Sequence, residues 1–357
     1  MKAAFFLLFL IIAATASKPV LAGDPVGVRK IAVASSQRGK DLAVTIWYPA
    51  RKGGKETLIG DNKLFKGTLA FADAPAAPGL HPLILISHGS GARIENLGWL
   101  AADLVEAGFI VAGPNHPGTT SGDSTPIDTP KLWERTQDLS IILTALTGDP
   151  QWKDLIAEER IGVLGFSLGG AAAMEISGAR ADLEAYAHYC DTYTTMADCM
   201  WFAGGKGYVE GKAVASEKVD LRKVDKDSFE QSNLDPRIKA AVLVDPALAQ
   251  AYVAESLKQI AIPMHFINLG RPETIPVAVV ADDLAKLVPK GTYAQVDDAV
   301  HFSFLAECQA GGAGLLKSLG DADHLCDDGG VRSRADIHAQ LRVMITDAFS
   351  KSLGSGM

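Results

Sequence analysis

The stretch Arg160–Ser177, RIGVLGFSLGGAAAMEIS, decides the fold. Its first part, Ile161–Phe166, is a short apolar run of the kind that forms a buried strand. The run enters Gly165-Phe166-Ser167-Leu168-Gly169, and an alanine-rich helical pattern follows at once. A strand that feeds a helix through G-x-S-x-G must turn sharply, and a Cβ on either flank would collide with the neighbouring strand or helix. Such a turn lifts the serine above the C-terminal edge of the sheet, where open α/β sheets place their ligands. The new helix aims its free N–H groups and the positive end of its dipole at the same spot. Ser167 is therefore expected to act as a nucleophile, with the N–H of Leu168 holding the oxyanion that its attack creates. The competing reading is a glycine-rich turn with an incidental serine.

Outward from this turn, short apolar strands alternate with helical patterns. Leu42–Tyr48 reads as an edge strand ending at Pro49, and Pro82–Ser87 as a buried strand running into HGSG. Trp99–Ala107 and Leu132–Leu146 have helical periodicity. Phe109–Ala112, Ala240–Val244, Met264–Leu269 and Thr292–Val296 complete the row of strands. The alternation implies a mostly parallel sheet with helices on both faces. Two regions interrupt it. Residues 181–235 are polar and mixed, and read as a lid-like insertion between the helix after Ser167 and the next strand. Residues 309–331 are glycine-rich and read as a loop before a closing helix, His338–Phe349.

A serine hydroxyl needs a base to become nucleophilic. Of eight histidines, His301 follows the last strand and lies downstream of Ser167, as the order serine, acid, histidine requires. His88 reads as a buried histidine bonding backbone, His116 as a positioning residue and His338 as structural. The acid is Asp245, which ends the strand KAAVLVD, or Glu273, in the loop after the next strand. Both stand at C-terminal strand ends, so both satisfy the same rule. A second oxyanion donor is expected from the loop after Pro82–Ser87, where the N–H of Ser90 lies between Gly89 and Gly91.

The motifs ILISHGSG, LAADLVEAGFIVAGPNHPG, LWERTQDLSIILTAL, IGVLGFSLGGA, DPRIKAAVLVDPAL and VHFSFLAEC occur in an order that resembles the platelet-activating factor acetylhydrolase and dienelactone hydrolase-like branch of the α/β-hydrolase superfamily. The likeness runs from Leu42 to Phe349, apart from residues 181–235. It implies an α/β-hydrolase fold and a serine esterase. Ser167 would be the nucleophile, His301 the base, and the backbones of Ser90 and Leu168 the oxyanion site. The acetylhydrolase group places the acid at Asp245. The dienelactone hydrolases place it one strand later, where this chain has Glu273, and they use cysteine in place of Ser167. A small-molecule carboxylic ester is the implied substrate. Other acyl hydrolases or transferases on the same fold, and a non-catalytic binding module, are the alternatives.

The remaining features bound this reading. The chain has 357 residues and a formal net charge of −8, which disfavours nucleic acid and anionic membranes as partners. No P-loop, dinucleotide fingerprint or metal-ligand cluster is present, so no cofactor or metal is implied. Residues 1–22 read as a signal peptide cleaved after Ala22, with an apolar run too short to span a bilayer. That leaves one domain, 23–357, in a secreted or periplasmic protein. Its four cysteines, Cys190, Cys199, Cys308 and Cys326, are expected to form disulfides. Four cysteines allow three connectivities, of which the local pairs 190–199 and 308–326 are the cheapest to close.

Overall fold

A computed structural model describes residues 25–320 and 324–354. The signal peptide expected at residues 1–22 lies outside the described residues. The chain opens with β1 (Val26–Val33), β2 (Leu42–Pro49), β3 (Lys55–Ile59), β4 (Thr68–Ala72) and β5 (His81–Ser87). Then come α1 (Gly98–Glu106), β6 (Ile110–Asn115), β7 (Thr119–Thr120), β8 (Asp123–Ser124), α2 (Leu132–Gly148), β9 (Ile156–Phe166) and α3 (Leu168–Ile176). Residues 181–235 contribute α4 (Leu183–Thr192), α5 (Ala197–Phe202), β10 (Gly205–Val209), β11 (Lys212–Ser216) and α6 (Lys226–Glu230). The chain closes with β12 (Ile238–Val244), α7 (Ala254–Lys258), β13 (Met264–Asn268), α8 (Asp282–Leu287), β14 (Gly291–Gln295), α9 (Gly312–Ser318) and α10 (Arg334–Leu353).

Ten strands form one sheet in the order β14-β13-β12-β9-β5-β6-β2-β1-β4-β3. The run from β14 to β6 is parallel, because helices carry each connection back across the sheet. The chain leaves β5 for β6 on one side and later returns to β9 on the other. The gap above β5 and β9 is therefore a topological switch point, the place where α/β sheets hold ligands. One apolar layer joins α1 and α10 to the first face of the sheet through Leu104, Phe109, Ile337 and Phe349. A second joins α2, α3, α7 and α8 to the other face through Leu139, Leu143, Met174 and Leu257. Burial on both faces explains why the central strands are continuous apolar runs.

Three details differ from the sequence reading. Leu42–Tyr48 is not at an edge: β2 pairs antiparallel with both β1 and β6. All of its residues except Ala43 are buried. Its outer partner is β1, and the β3–β4 hairpin extends the sheet further. Residues 309–331 are not all loop, since α9 forms there and packs beside the disulfide: a Cβ on Gly312 would stand 3.3 Å from Cys326 Sγ. The closing helix is also longer than expected, because Ser333 caps it by accepting from the Asp336 N–H at 3.1 Å.

Residues 181–235 build a third apolar cluster. Tyr186, Tyr189 and Phe202 pack with Leu132, Leu168 and Val279, so this segment sits directly on the start of α3. Its hairpin β10–β11 joins β7 and β8 in a small separate sheet. Disulfides link Cys190 to Cys199 and Cys308 to Cys326. The second closes an 18-residue separation, and a cross-link of that span restricts the unfolded chain by about 3 kcal/mol. The double variant Cys308→Ser/Cys326→Ser is expected to lose stability of that order in urea unfolding. Unchanged stability would show that the bond constrains nothing. Among the described residues, no helix is long and apolar enough to cross a membrane.

Candidate active site

The site grows from the β9–α3 turn. Ser167 has φ 55° and ψ −122°, a conformation that costs a non-glycine residue about 1–3 kcal/mol. Close approach on both sides holds it there. A Cβ on Gly165 would stand 2.1 Å from the Gly169 carbonyl oxygen, and one on Gly169 would stand 2.0 Å from the Ser87 carbonyl oxygen. Neither position admits another residue. The Ser167 N–H donates to the Val244 carbonyl at 3.1 Å, which ties the turn to the end of β12. The Ser167 side chain is left half-buried, open to solvent.

Three loops from three strand ends then converge. His301 opens the 3₁₀ turn His301–Phe304 that follows β14. Its Nε2 lies 3.1 Å from Ser167 Oγ, and its Nδ1 lies 2.8 Å from Asp245 Oδ2. A carboxylate only accepts, so Nδ1 carries the hydrogen and Nε2 presents its lone pair to the hydroxyl. Asp245 is wholly buried at the end of β12, and its backbone is also left-handed, with φ 43°. Its second oxygen accepts from Asn268 Nδ2 at 2.8 Å and from the Leu269 N–H at 2.9 Å. Glu273, the other expected acid, lies exposed in the loop after β13, and Asp245 is the residue hydrogen-bonded to His301.

The supporting residues are what a reading of sequence misses. Asn268, fully buried, orients Asp245 while its own oxygen accepts from the Ala281 N–H at 3.0 Å. On the other side of His301, Ser303 Oγ accepts from the Val300 N–H at 3.2 Å and donates to Asp328 at 2.9 Å. Asp328 also accepts from Arg334 Nε at 2.9 Å, and the remaining nitrogens of Arg334 bond the carbonyls of Ala306 and Leu325. Asp328 and Arg334, just beyond Cys326, thus brace the His301 turn. Phe166 adds a ring contact to His301 at 4.8 Å. His338 is stacked on Trp99 and accepts no charge readily, since burial pulls its pKa down to about 3.

The loop after β5 runs beside Ser167: a Cβ on Gly89, the residue before Ser90, would stand 3.4 Å from the Ser167 Cβ. Leu168 is the first residue of α3, so its N–H has no intrahelical acceptor. Ser90 is exposed at the centre of a β-turn closed by the Ala92 N–H on the Gly89 carbonyl at 3.2 Å. His88 is fully buried and bonds backbone: Nδ1 donates to the Gly89 carbonyl at 2.7 Å, and Nε2 accepts from the His116 N–H at 3.2 Å.

One titratable group on α3 carries a pH effect. Glu175 is buried about two turns from Ser167; Oε2 accepts from Asn233 at 2.9 Å, while Oε1 has no hydrogen-bond partner among the described residues. Desolvation raises its pKa to about 8. A carboxyl raised in the folded state contributes stability that is full below its unfolded pKa and is lost as pH climbs through its folded one. Stability should therefore fall between pH ~5 and ~8. Glu175→Gln should remove on the order of 3 kcal/mol of that fall, read as urea midpoints at pH 5 and 9. Parallel pH profiles for the two proteins would contradict it.

Comparison with known proteins adds the fold. A ferulic acid esterase from Streptomyces cinnamoneus superposes with a TM-score of 0.63, over 94% of this chain and 92% of that one, at 21% identity. The fold is that of the α/β-hydrolases. A bis(hydroxyethyl) terephthalate hydrolase of Streptomyces coelicolor is 28% identical over 121 residues, 34% of this chain. The match spans 36% of that relative's length. No protein-family model matches the chain.

Proposed function

We propose that this protein is an exported serine hydrolase that cleaves carboxylic esters of small molecules through an acyl-enzyme. The observation that carries the reading is the continuous hydrogen-bonded row Ser167–His301–Asp245 above the switch point of the sheet. Ser167 Oγ attacks the ester carbonyl carbon as its proton passes to His301 Nε2. The carbonyl oxygen takes the negative charge, and the N–H groups of Leu168 and Ser90 hold it. Asp245 keeps the imidazole in the required tautomer and stabilises its cation. Collapse of the oxyanion breaks the ester C–O bond, and the alcohol leaves with the proton from Nε2. Water, deprotonated by the same imidazole, then releases the acid and restores Ser167.

The names of the two similar proteins agree with ester cleavage, and the ordered motifs support the acetylhydrolase and dienelactone hydrolase-like branch. A signal-like start and two disulfides support export. Residues 23–357 form one domain in this reading, with 181–235 as an insertion beside the acyl site. The test is a substrate panel: p-nitrophenyl acetate and its longer-chain homologues, methyl ferulate, bis(hydroxyethyl) terephthalate, a thioester and an anilide. Esters are expected to give the highest kcat/KM. A thioester or anilide turned over faster than every ester would replace the esterase reading with another acyl transfer.

A further inference from the structure

A wholly buried guanidinium bonds the end of β5, where the chain turns toward Ser90. Arg135, on α2, is 1% exposed. Its Nη2 donates to the main-chain carbonyl of His88 and, at 3.1 Å, to Ser87 Oγ; its Nη1 donates to Thr119 Oγ1 at 2.7 Å. Asp138, nearly one turn along the same helix, supplies the counter-charge. It is held by Arg38 through bonds of 2.9 and 2.7 Å and by His116 Nδ1 at 2.8 Å. Ser87 Oγ closes the circuit by donating to His116 Nε2 at 3.0 Å.

A charge buried this deeply is costly, and an apolar side chain of similar volume packs a helix at least as well. The bonds of Arg135 have a direction, however. They pin the His88 carbonyl from one side, while the backbone of α3 closes the other: a Cβ on Gly169 would stand 2.6 Å from that oxygen. The next carbonyl, of Gly89, is held by His88 Nδ1 and the Ala92 N–H. The Gly89–Ser90 peptide is planar and trans, so a fixed Gly89 carbonyl sends the Ser90 N–H the opposite way.

We propose that Arg135 is a positioning residue for the oxyanion site: by fixing the His88–Gly89 peptide, it sets the direction of the Ser90 N–H. The inference rests on the serine-hydrolase reading above. The experiment compares an ester with its thionoester, in which the carbonyl oxygen is replaced by sulfur, a poorer acceptor that gains less from an N–H donor. Arg135→Met should lower kcat for the ester about 100-fold, the usual cost of one lost oxyanion donor, with KM nearly unchanged. The thionoester should slow far less, so the ester-to-thionoester rate ratio should narrow about tenfold. Arg135→Lys keeps the charge with a single-point donor, and its ratio should fall between those of wild type and Arg135→Met. If Arg135→Met does not fold, Arg135→Lys carries the comparison. Equal slowing of both substrates, or a wild-type ratio in the folded variants, would overturn the role of Arg135 alone. Ser167→Ala, assayed alongside, separates the two claims: if it hydrolysed both substrates like wild type, the serine-hydrolase reading would fall, and this proposal with it.

Discussion

Ser167→Ala is expected to fold as the wild type does and to hydrolyse p-nitrophenyl acetate at least about 10⁵-fold more slowly in kcat. The fold should survive because the substitution removes one oxygen from a half-buried side chain at a solvent-open site. The backbone strain at φ 55° is the same for alanine as for serine, and the interlocked glycines remain. A stability change within about 1 kcal/mol follows. Activity should not survive, because in the proposed mechanism the hydroxyl 3.1 Å from His301 Nε2 is the atom that bonds the carbonyl carbon. Without it the imidazole can activate only water, and the N–H donors alone leave a small residual rate. Urea unfolding and steady-state kinetics on the same preparation read both halves. A folded variant with wild-type turnover would mean that another group attacks the ester.

Asp245→Asn is expected to lower kcat by about 10⁴-fold, whereas Glu273→Gln should stay within about twofold of wild type. The asymmetry follows from hydrogen-bond inventory. The Asp245 carboxylate accepts from three donors: His301 Nδ1, Asn268 Nδ2 and the Leu269 N–H. An amide has one acceptor oxygen, so at least one of these donors must face an NH₂ group. If that donor is His301, the imidazole takes the other tautomer, and Nε2 can no longer accept the serine proton. If it is Asn268 or Leu269, a buried donor loses its partner, at about 1–3 kcal/mol. Glu273 is exposed, so water solvates its carboxylate and the replacing amide alike. The two variants, compared by kcat and by unfolding midpoint, decide the acid. A larger loss in Glu273→Gln would move the assignment to the loop after β13.

That pair also shows where sequence reading stops. Asp245 and Glu273 follow β12 and β13, which are neighbours in the sheet, so chain order and strand-end position describe both equally well. Only the distance across the sheet separates them. The β9–α3 turn was legible because its whole argument is local: an apolar strand, small residues that admit close approach, and a helix within eighteen letters. The mostly parallel sheet was legible for the same reason, since each buried strand declares itself as a short apolar run. Position within the sheet was not. Leu42–Tyr48 alternates enough to pass for an edge strand, yet β1 covers it, and nothing in the stretch itself encodes that long-range pairing. Asn268, Arg135 and Asp328 were invisible for a related reason. A polar letter looks like a turn or surface residue until the fold surrounds it with hydrogen-bonding partners. Helix α9 was hidden by its glycines; it packs beside Cys326, and that contact too is non-local.

The central claim is that the Ser167 hydroxyl is made nucleophilic by His301. A fluorophosphonate probe tests it most directly, because it forms a stable bond only with an activated serine. The account predicts stoichiometric labelling of the wild type, with the adduct located by peptide mass spectrometry on Ser167, no adduct in Ser167→Ala, and strongly slowed labelling in His301→Gln. A folded wild-type protein that stays unlabelled, or an adduct on any other residue, would contradict it.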